Sequence, residues 1–205
     1  MDKIINQIVF LVLVVVKFSF PQWSNDPNSN LYVGTGIKPE VCSDSAGGCY
    51  IVYESGEPRQ LSVRWFNKYG YQPWGWKKVI QGEYPEQWQS KSIDDGEGGV
   101  IISYEDMLDN IPYEYKTRIR VQRINKAGTF LWGQIGVRVS LEEINQDVQR
   151  VVSDGSGGVV AVWLNPQAEY TVNRINSQGQ RMWGDSGIVV TIDGNFDKPS
   201  LIRAS

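Results

Sequence analysis

Acidic side chains are the first place to look for chemistry in this sequence, because it contains no histidine. That absence removes the commonest general base, the usual serine and cysteine triads and most catalytic zinc sites. Glu54 and Glu105 follow short apolar segments at corresponding places, where a third segment has Leu164. Two acids at a fixed separation serve glycoside hydrolysis; a solvated loop charge is the plainer reading and the favoured one. Asp94, Asp95 and Glu97 gather oxygen donors of the kind calcium takes. The alternative is a turn whose aspartate bonds its own backbone. Only one of the three related segments has the extra carboxylates, so the turn is favoured and no metal is expected. Trp74, Trp132 and Trp183 could stack on sugars, yet their recurrence at one position favours packing. Trp76, Trp88, Tyr69 and Tyr71 do not recur and have no evident packing duty, which makes them the candidate binding residues. Arg123 and Arg174 offer an anion site or, as favoured here, a tether to carboxylate or backbone acceptors. Cys42 and Cys49 flank a hairpin-like stretch, and a hairpin brings its flanks to disulfide spacing. Buried free thiols are the alternative, and C-x6-C is not a metal spacing. No cofactor is expected, and the catalytic residues expected within this chain are none.

These residues are placed by a pattern that returns along the chain. Asp44–Tyr53, Asp95–Tyr104 and Asp154–Trp163 each run Asp, two residues, Gly-Gly, then an apolar strand ending in an aromatic. Each is followed by N-x-x-G-x-x-x-W-G, at Asn67–Gly75, Asn125–Gly133 and Asn176–Gly184. The period is about 51 residues, and the middle copy is longer by about eight, within 106–116. In the third copy the expected strands are Asp147–Ser153, Gly158–Trp163, Tyr170–Asn176 and Gly187–Thr191. Alternation in Val121–Ile124 and Val172–Ile175 fits partly buried strands, and no sustained helical period follows residue 20.

Four short strands per 40–50 residues is the arithmetic of a propeller blade. A parallel β-helix uses shorter coils, and sandwich arrays need about 100 residues per unit. The expected fold is therefore all-β: a partial β-propeller of about three four-stranded blades plus the first strand of a fourth. The expected blades are 36–82, 86–141 and 146–192, with the start of a fourth at 198–205, all within an incomplete propeller spanning 21–205. Leu31–Gly34 sits where an outermost strand belongs and could close a ring against a C-terminal blade. Propellers need about four to eight blades, so the chain is expected to be a fragment of a longer protein.

The pattern S-D-G-x-G-G, then R-I-N-x-x-G-x-x-x-W-G, resembles the repeats of large secreted bacterial β-propeller proteins of the Bacteroidetes type. Those often end in a type IX secretion sorting domain. The likeness covers about residues 23–205 and is closest at Ser153–Gly184 and Arg123–Gly133; the first copy departs, with Trp65-Phe66-Asn67 for Arg-Ile-Asn. The resemblance implies fold and export and no particular activity.

The N-terminus reads the same way. Lys3 precedes the apolar run Ile8–Val16, too short to span a bilayer and suited to a signal peptide over residues 1–20. An anchor and a buried strand are the alternatives. The net charge of −3 and pI near 5.1 argue against nucleic acid. Membrane contact is expected only through the signal segment during export. The function expected is a non-catalytic secreted or cell-surface binding or scaffold module, its partner a glycan or a surface protein. The alternatives are the propeller portion of a glycoside hydrolase or lyase with its catalytic residues further on, and a structural stalk.

Overall fold

In the computed structural model the described residues are Trp23, Asp26, 28–79, 86–106 and 117–190. They form three four-stranded antiparallel sheets and no helix. Sheet 1 comprises β1 (Ile37–Ser43), β2 (Cys49–Ser55), β3 (Gln60–Phe66) and β4 (Trp76–Lys78). Sheet 2 comprises β5 (Gln87–Asp94), β6 (Val100–Asp106), β7 (Arg118–Ile124) and β8 (Val137–Arg138). Sheet 3 comprises β9 (Asp147–Ser153), β10 (Val159–Leu164), β11 (Tyr170–Ile175) and β12 (Ile188–Val190). Within each sheet every strand pairs with its chain neighbours, giving three meanders of one topology. The expected signal segment, most of the expected middle insertion and the expected start of a fourth blade lie outside the described residues. Leu31–Gly34, expected as an outer strand, forms none.

The turns show why these sequences make these hairpins. Between β1 and β2, Asp44 Oδ1 accepts the amides of Ala46 and Gly48; Asp95 does the same for Glu97 and Gly99, and Asp154 for Ser156 and Gly158. The other carboxylate oxygen accepts from the third strand: Trp65 Nε1 at 3.0 Å, Arg123 Nε at 2.9 Å and Arg174 Nε at 2.9 Å. Trp65 thus replaces the arginine of the other two sheets as donor. Both oxygens of each aspartate are therefore engaged, and among the described residues no cluster of carboxylates, cysteines or histidines could hold a metal. After β3, β7 and β11, Asn67, Asn125 and Asn176 accept amides of the following turn through Oδ1.

The sheets stack face to face. One core joins Tyr50, Val52, Leu61, Val63 and Trp65 of sheet 1 to Val100, Ile102 and Tyr104 of sheet 2. A second joins Ile101, Ile119 and Val121 of sheet 2 to Val159, Ala161 and Trp163 of sheet 3. Strand β6 is accordingly buried along its whole length. A buried apolar side chain contributes about 1.5–3 kcal/mol, so alternating residues of one strand hold both neighbours. A tryptophan seals each junction. Trp132 donates from Nε1 to Ser177 O of the Asn176 turn, at 3.0 Å. Trp23 makes the same bond to Lys68 O of the Asn67 turn, at 3.2 Å. Trp74 packs in the first core with Tyr50 and Trp65. Gly128 and Gly179 sit against Trp74 and Trp132; a Cβ on Gly179 would lie 3.0 Å from the Trp132 ring.

The expected Cys42–Cys49 disulfide is not formed; both thiols are free. The register gives the reason. Cys49 lies opposite Ser43, and Cys42 lies opposite Tyr50. Residues directly opposed share a face and successive residues alternate, so the two thiols point to opposite faces. Cys42 packs against the first core, and burial pushes its thiol up to about 12.

Candidate functional site

The first strands of the three sheets lie side by side, β1 beside β5 and β5 beside β9. Each carries an irregularity at the same place. In β1 two residues, Lys38 and Pro39, oppose the single Tyr53; in β5, Gln89 and Ser90 oppose Tyr104; in β9, 148 and Gln149 oppose Trp163. A bulge of this kind bends the strand and re-aims its side chains. Lys38 and Gln89 take up left-handed backbone, with φ of 49° and 50°. The three bulges together open a groove of about 160 Å³, lined by Lys38, Glu40, Ser90, Lys91, Gln149 and Arg150 among others.

The bulge in β5 also explains one of two buried glutamates. A bulge releases an amide from the ladder, and a buried amide needs an acceptor. Gln89 N finds Glu54 Oε1 at 3.0 Å, across the sheet boundary. Lys38 Nζ pairs with the same oxygen at 3.3 Å. Glu105 occupies the corresponding place in sheet 2, where its Oε2 accepts Trp88 Nε1–H at 2.8 Å and its Oε1 has no partner. Both glutamates are 1% exposed, so the solvated loop charge expected at these positions is wrong: the neighbouring sheet covers them. Burial, reinforced by the Asp147 charge, raises Glu105 to about 7 against the smaller opposing effect of the Trp88 hydrogen bond. Glu105 therefore exchanges a proton near neutral pH, and chemically it is a donor or acceptor held next to a groove.

Of the four aromatic binding residues read from the sequence, Trp88 alone belongs to this end of the strands. It is bonded to Glu105 and has the Arg59 guanidinium over its ring at 5.4 Å. Tyr69 and Tyr71 lie in the turn after β3, at the opposite strand end, and Trp76 stands exposed on β4 opposite Arg64. The structure does not bring the four together. The groove residues Lys91, Arg150 and Glu40 were missed, although a charged residue stands at one offset before each Gly-Gly pair. No protein-family model and no curated protein matches the chain.

A larger groove of about 470 Å³ opens beside sheet 3, lined by Glu142, Glu143, Asn165, Thr171 and Val189 among others. One of its two acids is already committed: hydrogen bonds from Arg118 and Arg138 hold Glu143 at about 2. The first-strand groove, with the unpaired polar atoms of Ser90 and Gln149 in its lining, is the better site.

Proposed function

We propose that the three sheets are consecutive blades of an incomplete β-propeller, and that the protein is a secreted or cell-surface binding module for a glycan or a surface protein. One observation carries the reading: β1, β5 and β9 run side by side, and each pair of neighbouring sheets shares one apolar core. Radial repetition of four-stranded sheets around the first strands is what a propeller requires. The groove of those strands then becomes part of an axial channel, a common place for ligands. The apolar run Ile8–Val16 supports export, and the resemblance to secreted propeller repeats supports a bacterial surface destination. Fractionation of the native host tests export: the protein belongs in the medium or on the cell surface, and a cytoplasmic protein ends that part of the proposal. A glycan array read with the full chain tests binding. Trp88→Ala is expected to weaken the hits by loosening the groove wall, and Trp76→Ala to leave them unchanged.

A second reading, the propeller portion of a carbohydrate-active enzyme, draws on the raised Glu105 alone. Release of reducing ends from an array-positive glycan, lost in Glu105→Gln, distinguishes it from binding.

A further inference from the structure

The groove along β1, β5 and β9 is chemically lopsided. Lys38, Lys91 and Arg150 converge on it. Lys38 is paired with Glu54, and Lys91 with Glu40. Arg150 has no carboxylate among the described residues; it donates to the Gln149 carbonyl oxygen at 2.8 Å. The groove thus holds one uncompensated positive charge. Ser90 and Gln149, 4% and 2% exposed, also line it. Gln149 Nε2 donates to Gln89 O at 2.8 Å, but Gln149 Oε1 and Ser90 Oγ have no partner. Buried polar atoms are nearly always paired, so two orphans at one groove mark where a ligand's groups belong.

The three vacancies differ in kind. Arg150 calls for an anion, best a planar carboxylate that meets its fork. Gln149 Oε1 calls for a donor. The Ser90 hydroxyl takes either role. Sulfate or chloride supplies no donor to Gln149, and a neutral sugar supplies no negative charge to Arg150. The volume, about 160 Å³, falls below the roughly 300–1,000 Å³ of drug-sized sites, which suits a single ring. We infer that the groove binds an acidic sugar, with the carboxylate of a uronic acid on Arg150 and its hydroxyls on Ser90 and Gln149. This inference rests on the binding-module reading and names its ligand class.

Titration of the full chain with sodium glucuronate and with glucose, followed by amide shifts, tests it. Glucuronate is expected to move Ser90, Lys91, Gln149 and Arg150 saturably, with affinity about tenfold above that of glucose, the worth of one charge-assisted pair. Arg150→Gln is expected to bring glucuronate down to the glucose level. Raising NaCl to roughly 1 M, where the screening length is about 3 Å, is expected to weaken glucuronate alone; this needs no variant and stands if Arg150→Gln does not fold. Equal binding of the two sugars, or glucuronate binding indifferent to salt, overturns the acidic class. Preferential binding of glucose at the same amides would do so while leaving the binding module intact. Glucuronate shifts confined to other residues overturn the groove. A glycan array with no hits of any kind removes the glycan-binding reading on which the inference rests.

Discussion

Gly99 stands where the chain turns into β6, and a Cβ there would lie 2.5 Å from Ile124 O and 2.6 Å from Asp95 Oδ2. Neither atom can retreat: the carbonyl belongs to β7, and the carboxylate is held by the turn amides and Arg123. Gly99→Ala is therefore expected to cost about 3 kcal/mol or more. Gly96, three residues earlier in the same turn, has φ +77° and open space around it, so Gly96→Ala should cost only the left-handed penalty of about 1–2 kcal/mol. Urea midpoints at constant slope separate the two; equal losses would show that space at Gly99 is not the constraint. Glu105 gives a second residue-level test. Its folded value of about 7 lies above the ordinary 4.5, so its contribution is whole below about pH 4.5 and is lost as pH rises toward 7. The loss amounts to no more than about 3 kcal/mol. Glu105→Gln keeps an acceptor for Trp88 and removes the titration. Asp44, Asp154 and Glu143 are lowered and slope the other way, their contribution vanishing in acid. The quantity to measure is thus the stability of Glu105→Gln minus that of wild type, which should grow between about pH 4.5 and 7 and then level off. A flat difference would mean that Glu105 is solvated in solution.

Among elements, the tryptophans that close the sheets differ by what lies beyond them. Trp132 is 4% exposed and bonded to the next turn, whereas Trp183, in the corresponding place, is 37% exposed. Trp132→Ala is expected to cost about 3–5 kcal/mol and Trp183→Ala less than about 1 kcal/mol. Comparable losses would contradict the stacking described for sheets 2 and 3. The same comparison shows what the sequence made legible. The strands of sheet 3 could be placed within a residue or two because the Asp-x-x-Gly-Gly and Asn-x-x-Gly turns bracket them. The tryptophans could be assigned to packing because they recur. The cysteine pairing could not be read, since the flanks of a six-residue stretch do not determine which residues oppose one another, and one step of register moves a thiol to the other face. The burial of Glu54 and Glu105 was equally hidden. For Glu54 it goes with a bulge in the following sheet, whose freed Gln89 amide no local pattern announces.

At the scale of the molecule, sheets 1 and 2 each have a neighbour that covers their outer apolar residues, so Val79 and Val139 are fully buried. Sheet 3 has none among the described residues. Trp183, Ile188 and Val190 leave 37–49% of their surface open, exposed apolar surface of the sort that binds a partner or aggregates. Stacked units of this kind gain most of their stability from nearest-neighbour interfaces. A further unit carrying an Asn-x-x-Gly turn, fused behind residue 205 as a copy of 142–205, should therefore dock its turn on Trp183 as the Asn176 turn docks on Trp132. Three readouts are expected to move together. The urea transition shifts up and stays single, its slope rises with the added buried surface, and the Trp183 emission moves to shorter wavelength. Trp183→Phe in the fused protein should abolish the emission change while the slope stays high. A fused unit that unfolds in its own separate transition, with Trp183 emission unchanged, would show that sheet 3 does not present the same face as sheets 1 and 2. The axial arrangement proposed for β1, β5 and β9 would then lose its geometric basis.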